Sequence, residues 1–348
     1  MKIAQVSPLF EAVPPAAYGG TERVISYLTE ELVRQGHDVS LFATADSITA
    51  AGLAPVCGAS LRAAAAMPAA SSWLASHIIE LGMVAALADS FDVIHFHTDF
   101  LHFPMARQLT TPHITTLHGR LDLPELQPLY RYFHDIPLVS ISNSQRLPLP
   151  WANWRATVHH GLPVDLYAFE PEAEDYFLFV GRISPEKRAD RAIDIATRVG
   201  LPLYIAAKVD SADQAYFTAH IESLLDHPLV HFIGEIGEAE KHSLLSRAKA
   251  LLFPIDWPEP FGLVMIEAMA CGTPVIAYAH GSVPEVVQHG VNGYLVANQA
   301  EAIEAARDAG KIDRWKCRAV YEERFTASRM ADAYLGVYDQ LCSGRRGR

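Results

Sequence analysis

Three stretches of the chain group residues whose chemistry suits an anionic, hydroxyl-rich ligand. The first is Trp257-Pro258-Glu259-Pro260-Phe261-Gly262-Leu263-Val264-Met265-Ile266-Glu267-Ala268. Its prolines keep 255–260 out of a helix, and the pattern predicts a helix over 262–270 that Gly272 stops. The first N–H groups of that helix, near Phe261, Gly262, Leu263 and Val264, lack intrahelical partners and favour an anion. Glu259 precedes the helix, and Glu267 lies roughly 7 Å along it. Carboxylates that far apart cannot work on one atom, but they can hold two hydroxyl-bearing parts of one extended ligand. The same spacing also fits one Glu serving the helix dipole and another simply solvated. The second stretch is Val180-Gly181-Arg182-Ile183-Ser184-Pro185-Glu186-Lys187, where a strand runs into a turn. Arg182 offers a planar fork for two phosphate oxygens and Lys187 a compact charge, unless both are surface charges at a helix start. The third is Ala17-Tyr18-Gly19-Gly20-Thr21-Glu22-Arg23. Gly19 and Gly20 let main chain approach a phosphate or sugar, with Thr21 as a candidate cap; a plain turn asks for the same residues.

Histidines are numerous, 16 in all. His95 and His97 fall on the same side of one predicted strand, with Asp99 just beyond it. His118 ends another strand, where a ligand would meet it. A zinc site would need a third ligand that no spacing fixes, so no metal site is assigned. No G-x-G-x-x-G follows a strand, and Walker A, H-E-x-x-H and G-x-S-x-G are absent. A D-x-D carboxylate pair, which commonly holds a metal on a nucleoside diphosphate, is also missing. A departing pyrophosphate would then depend on Arg182, Lys187 and helix starts for its developing charge.

The elements that must position these groups alternate between strand and helix. Strands are predicted at 3–6, 39–43, 93–96, 113–117, 138–141 and 157–159, with helices over 21–35, 59–70 and 73–88. An acidic stretch over 165–175 reads as a linker. Strands then recur at 176–180, 203–206, 230–233, 250–253 and 274–277, with helices over 186–199, 211–226, 238–248 and 262–270. Helices over 300–309 and 327–341 close the chain. Such alternation predicts an α/β protein with two Rossmann-like, doubly wound parallel sheets facing across a cleft. The expected divisions are 1–168, 169–326, and 327–348, a last helix plus a basic tail. The 348 residues are 50% hydrophobic and 20% charged, as in a globular enzyme. A formal net charge of −12 argues against nucleic acid as a partner. Four scattered cysteines suggest neither a zinc knuckle nor a disulfide framework. No apolar run is long enough to span a membrane, so a cytoplasmic protein with at most peripheral membrane contact is expected.

Taken in order along the chain, these motifs resemble the retaining glycosyltransferases of family 4, which have the GT-B fold. The most specific part is the E-x7-E pair Glu259 and Glu267, followed by Ala268-Met-Ala-Cys-Gly-Thr-Pro-Val275. The Gly181–Lys187 stretch, the Gly19-Gly20 loop and Gly281-Ser-Val-Pro-Glu285…Gly290-Val-Asn-Gly293 match as well. The resemblance implies a hexose moved from a UDP- or GDP-sugar to an acceptor hydroxyl, with no cofactor and no metal. Arg182 and Lys187 would bind the donor diphosphate, assisted by Gly20 and the 262–264 helix start. Glu259 would hold sugar hydroxyls, Glu267 the ribose, His118 the sugar near its reacting carbon, and the base would lie near Phe232–Glu235. The last helix would pack on the N-terminal domain. His97, Asp99, Arg120 and Asn143 are candidates for a small-molecule, lipid or glycan acceptor. His160-Gly161-Leu162-Pro163-Val164-Asp165 departs from the family's usual Asn-Gly-Val-Asp. A sugar-nucleotide epimerase or hydrolase of this fold, or a non-catalytic sugar-nucleotide binder, are the alternatives.

Overall fold

A computed structural model describes residues 1–16, 19–62 and 70–346. The chain forms two compact units, Met1–Pro163 with Ala327–Arg348, and Val164–Thr326. In the first unit, β1 (Lys2–Val6), β2 (Asp38–Ala43), β3 (Gly52–Pro55), β4 (Val93–Phe96), β5 (His113–Thr116), β6 (Leu138–Ser140) and β7 (Trp154–Thr157) form one sheet of order β3-β2-β1-β4-β5-β6-β7. Every pairing is parallel. Ile3, Ala4 and Val6 of β1 are fully buried, and so is Gln5, a polar residue in the middle of the sheet. Apolar residues from β1, β2 and β4 pack with Val84 and Ala88 on one side. The helices Gly20–Arg34 and Ala327–Arg346 pack against each other. Tyr334 and Tyr338 of the latter are buried and reach the polar interior near β1 and β4.

The second unit holds β8 (Phe177–Arg182), β9 (Leu203–Lys208), β10 (Val230–Gly234), β11 (Ala250–Phe253), β12 (Val275–Tyr278) and β13 (Gly293–Val296) in the order β10-β9-β8-β11-β12-β13, again all parallel. Phe177, Phe179, Ile205, Leu252 and Ile276 join Ile193 and Ala196 of the helix Ala189–Val199 in its core. β8 and β11 are adjacent, so the loops leaving their carboxyl ends are neighbours.

Several elements differ from expectation. β3 and β13 and the helices Gln127–Tyr132 and Arg314–Arg324 carry no clear periodic signal, and the strand expected at 157–159 forms at Trp154–Thr157. Of the helix expected over 59–70, residues 63–69 lie outside the described residues, and 59–62 form bends and a turn tied back to Leu9 and Phe10. Gly347 and Arg348 of the basic tail also lie outside them. The acidic 165–175 segment is no loose linker, because Tyr167 is buried and donates its hydroxyl to Glu238 at 2.8 Å. The helix expected over 211–226 is broken into short segments, with a wide π turn at Phe217–Ile221. Phe217, Ile221 and Leu225 recur every four residues, longer than the 3.6 of an α-helix. A wider turn keeps them on one face of the core.

Candidate functional site

The second unit gathers the charged residues at the carboxyl ends of β8 and β11. Arg182 is the last residue of β8. The next residues turn instead of starting a helix: Lys187 N–H bonds to the Ser184 carbonyl at 3.1 Å, and Arg188 adopts the left-handed conformation at φ 55°. The helix therefore starts at Ala189, three residues later than expected. The turn leaves the Lys187 ammonium in an ion pair with Glu259, both side chains largely withdrawn from water. Trp257 adds a second donor, its indole N–H reaching the same Glu259 oxygen at 2.9 Å. The Lys187 ammonium also lies 5.0 Å from the centre of the Trp257 ring and 5.6 Å from that of Phe253.

The loop carrying Glu259 is held from three sides. The Asp256 N–H donates to the Glu186 carbonyl at 2.8 Å, and the Asp256 carboxylate accepts from Arg188 at 2.9 Å and Arg191 at 2.8 Å. The Ser282 N–H donates to the Glu259 carbonyl at 2.9 Å, and its hydroxyl to that of Phe261 at 2.8 Å. Gly281 makes this close approach feasible. It sits at φ 58°, and a Cβ there would strike the main chain of Pro258 and Glu259. Gly262 caps the following helix at φ 80°, where a Cβ would meet Met265 and Phe253. The helix runs Leu263–Ala270, one residue shorter than expected, with no side-chain cap and no acidic residue in its first turn. Its start keeps the partial positive charge of unpaired amides.

Glu267, further along that helix, is buried and paired with Lys241 at 2.9 Å, while Lys241 also meets Glu238 at 2.9 Å. Burial alone would lower the Lys241 ammonium's pKa, but the carboxylates of Glu267 and Glu238 leave it raised. Arg182 lies among Glu186 at 3.1 Å, Asp210 at 3.4 Å and Asp213 at 3.9 Å. Each cation thus faces carboxylates, an arrangement in which a more highly charged anion competes for the cations. Glu235 is exposed in the loop after β10 that leads into the helix Glu238–Arg247.

The remaining expected residues belong to the first unit. Gly19 stands at φ 153°, with Pro15 carbons 2.8 Å from where its Cβ would be, and Gly20 begins the helix. Thr21 lies inside that helix and does not cap it; Gly19 is the cap, with no side-chain bond. Ala17 and Tyr18 lie outside the described residues. His97 is buried with both ring nitrogens engaged, by Gln5 at 2.8 Å and His118 at 2.9 Å. It has no nitrogen left for an acceptor. Arg120 is held by Asp122 through two bonds of 2.7 Å, and Asn143 accepts from Thr157 at 3.0 Å. Asp99 is exposed, in the left-handed conformation at φ 50°. No group of three or more His, Cys, Asp or Glu suited to a metal ion occurs among the described residues. No helix among them is long and apolar enough to cross a membrane.

The sequence pattern did not reveal Lys241, Trp257, Gly281 or Ser282 as partners of the two glutamates, nor Asp256 as the tie between the Glu259 loop and the 186–191 stretch. Trp257 and Gly281-Ser282 had a signal, their places in the quoted motifs, though not as partners.

Residues 18–159 match the family described as Glycosyltransferase Family 4, and residues 168–320 that described as Glycosyl transferases group 1. The D-inositol 3-phosphate glycosyltransferase of Mycolicibacterium smegmatis is 29% identical over 241 residues, 61% of this chain and 52% of that protein. The chain thus spans about half the length of that relative. The O-antigen chain mannosyltransferase C of Escherichia coli is 24% identical over an alignment covering 98% of this chain and 100% of its own. Among solved structures, HepE of Anabaena in complex with UDP and glucose superposes with a TM-score of 0.73 at 19% identity, covering 98% of this chain and 100% of that one.

Proposed function

The chain belongs to the family 4 type of GT-B glycosyltransferases, and from that premise we propose that it transfers a hexose from a nucleoside diphosphate sugar to an acceptor hydroxyl, retaining the anomeric configuration and using no metal. The observation that carries this reading is the set of Arg182, the Lys187–Glu259 pair and the uncapped 263–270 helix start, all at the carboxyl ends of adjacent strands. The UDP and glucose bound by HepE support the donor class.

Arg182 and Lys187 bind the diphosphate, and the amides of Gly262, Leu263 and Val264 extend the positive surface. Lys187 has three donor hydrogens, so it can serve a phosphate oxygen and Glu259 together. Glu259 accepts from sugar hydroxyls and Glu267 from the ribose, with Glu235 near the base. As the bond from the anomeric carbon to the β-phosphate oxygen breaks, negative charge gathers on that oxygen, where the two cations stabilise it. The acceptor hydroxyl attacks from the same face and its proton passes to the departing phosphate oxygen. No protein nucleophile is required, and the two bonds that Glu259 already accepts, from Lys187 and Trp257, support reading it as a binding group.

A thermal-shift screen across UDP- and GDP-sugars, followed by product analysis with the strongest stabiliser, tests the reading. Expected are a raised melting temperature, an α-linked product and unchanged turnover in EDTA. Free nucleotide released without glycosylated product would favour the hydrolase or epimerase alternative, and binding without turnover the non-catalytic one. Loss of turnover in EDTA would overturn metal independence.

Asp256 ties the Glu186–Arg191 stretch to the loop before Glu259. Asp256→Asn is expected to raise donor KM about five- to tenfold, since weakening a half-exposed charged bond costs roughly 1 kcal/mol. The melting temperature should change little. Steady-state kinetics beside a melting curve checks both, and an unchanged KM would mean the two loops hold their register without it.

A further inference from the structure

The buried polar chain of the first unit fixes which nitrogen of His118 carries hydrogen. Burial holds His95, His97 and His160 uncharged and pushes His118 down to about 3. Each neutral imidazole then offers one donor and one acceptor. Gln5 donates from Nε2 to the Tyr338 hydroxyl at 3.2 Å, so its Oε1 faces His97 Nε2 at 2.8 Å. An amide oxygen only accepts, so His97 carries its hydrogen on Nε2 and leaves Nδ1 bare. That Nδ1 stands 2.9 Å from His118 Nε2, which must therefore be the donor. His118 Nδ1 is left as a bare acceptor, shielded from water and with no hydrogen-bond partner. On the other arm the directions agree. The Tyr338 hydroxyl can donate to His95 Nδ1 at 2.7 Å, which leaves His95 Nε2–H for Thr116 at 2.7 Å, and Thr116 is bonded to the Tyr334 hydroxyl at 2.9 Å. His160 stacks on the His118 ring, with centroids 5.4 Å apart and planes 19° from parallel, which limits its rotation.

We propose that Gln5 is a positioning residue: through His97 it holds His118 as the Nε2–H tautomer, so that a bare Nδ1 acceptor is what any hydroxyl of the carbohydrate substrate reaching this ring meets. Only the class of ligand rests on the sugar-transfer reading; the tautomer does not. An acceptor held this way favours a hydroxyl over a carbonyl or ether oxygen at the same place, because only the hydroxyl brings a hydrogen.

Long-range ¹H–¹⁵N correlation spectra of the histidine-labelled full chain at pH 7 test it, with His118→Asn used for assignment. The expected result is a bare Nδ1 and a protonated Nε2 on both His97 and His118. A proton on His118 Nδ1 would mean that the Gln5 amide is turned the other way and would overturn the proposal, as would an imidazolium. Gln5→Leu is expected to scramble or invert the His118 tautomer and to lower kcat/KM about tenfold at unchanged acceptor concentration range. Tyr338→Phe, which frees the Gln5 amide to turn, should move the same signals if Gln5→Leu fails to fold. Spectra unchanged in whichever variant folds would also overturn it. Absence of any transfer activity would remove the substrate class while the spectra still decide the tautomer.

Discussion

Replacing Lys187 by alanine lowers kcat/KM for sugar transfer by on the order of 10²-fold or more, and replacing Arg182 by alanine has an effect of the same order. Lys187 is the more telling position because its surroundings are drier. Its side chain is 17% exposed against 32% for Arg182, and a charge acts more strongly where less water screens it. The lysine variant has a second consequence. Glu259, 10% exposed, would keep the Trp257 indole but lose its cation. Breaking a buried pair by removing one member costs about 3–5 kcal/mol where burial is complete, so some loss of stability accompanies the loss of rate. Combining Lys187→Ala with Glu259→Gln separates the two. If the missing cation matters through the diphosphate, the double variant regains stability but not kcat. If activity returned with stability, the role assigned to Lys187 would be wrong. Glu259→Ala alone should fold and lose kcat. Full activity in both the Arg182 and Lys187 variants would reject the site.

Mild acid is expected to unfold the first unit. Burial holds His95, His97, His102, His118 and His160 well below their ordinary value of about 6.5. They are neutral in the fold, while the unfolded chain takes up protons on them once pH falls below about 6.5. The unfolded state then binds more protons, so stability is complete above that value and declines as pH drops toward the folded pKa values. Each histidine contributes a slope of up to about 1.4 kcal/mol per pH unit. Glu80 works the other way, since burial raises its carboxyl well above the usual range and keeps it protonated in the fold. Several such histidines acting together make the slope a sizeable fraction of the roughly 5–15 kcal/mol that holds a domain together. Urea titrations followed by near-ultraviolet circular dichroism should show a first transition moving sharply to lower urea between about pH 6 and 5. The second unit has no comparable histidine cluster among its described residues, and its transition should move less. A first transition independent of pH over that range would contradict the buried neutral state.

The sequence made the main chain of the site legible wherever punctuation was local. Pro258 and Pro260 marked the loop, Gly262 the helix start and Val180-Gly181 the strand end; the helix starts one residue later than expected and the strand runs two residues further, to Arg182. At 186–189 the helical pattern extended too far, because a left-handed arginine is invisible to periodicity. Side-chain partners were not legible. Glu267 finds Lys241 and Glu259 finds Lys187 across sequence separations that no local pattern records. Gln5 is the exception. One amide in an otherwise apolar buried strand signalled polar partners, and these came from His97 just beyond β4 and from Tyr338 of the last helix, at the opposite end of the chain.

The hold of Gly281 and Ser282 on the main chain of Glu259 and Phe261 bears on any attempt to re-engineer the enzyme. Grafting a foreign 254–262 segment from a relative with another sugar preference transplants only half of a joint, because the turn that seats it lies beyond β12. A chimera whose crossover falls after 287 moves both halves together and is the sounder starting point for changing which carbohydrate is accepted.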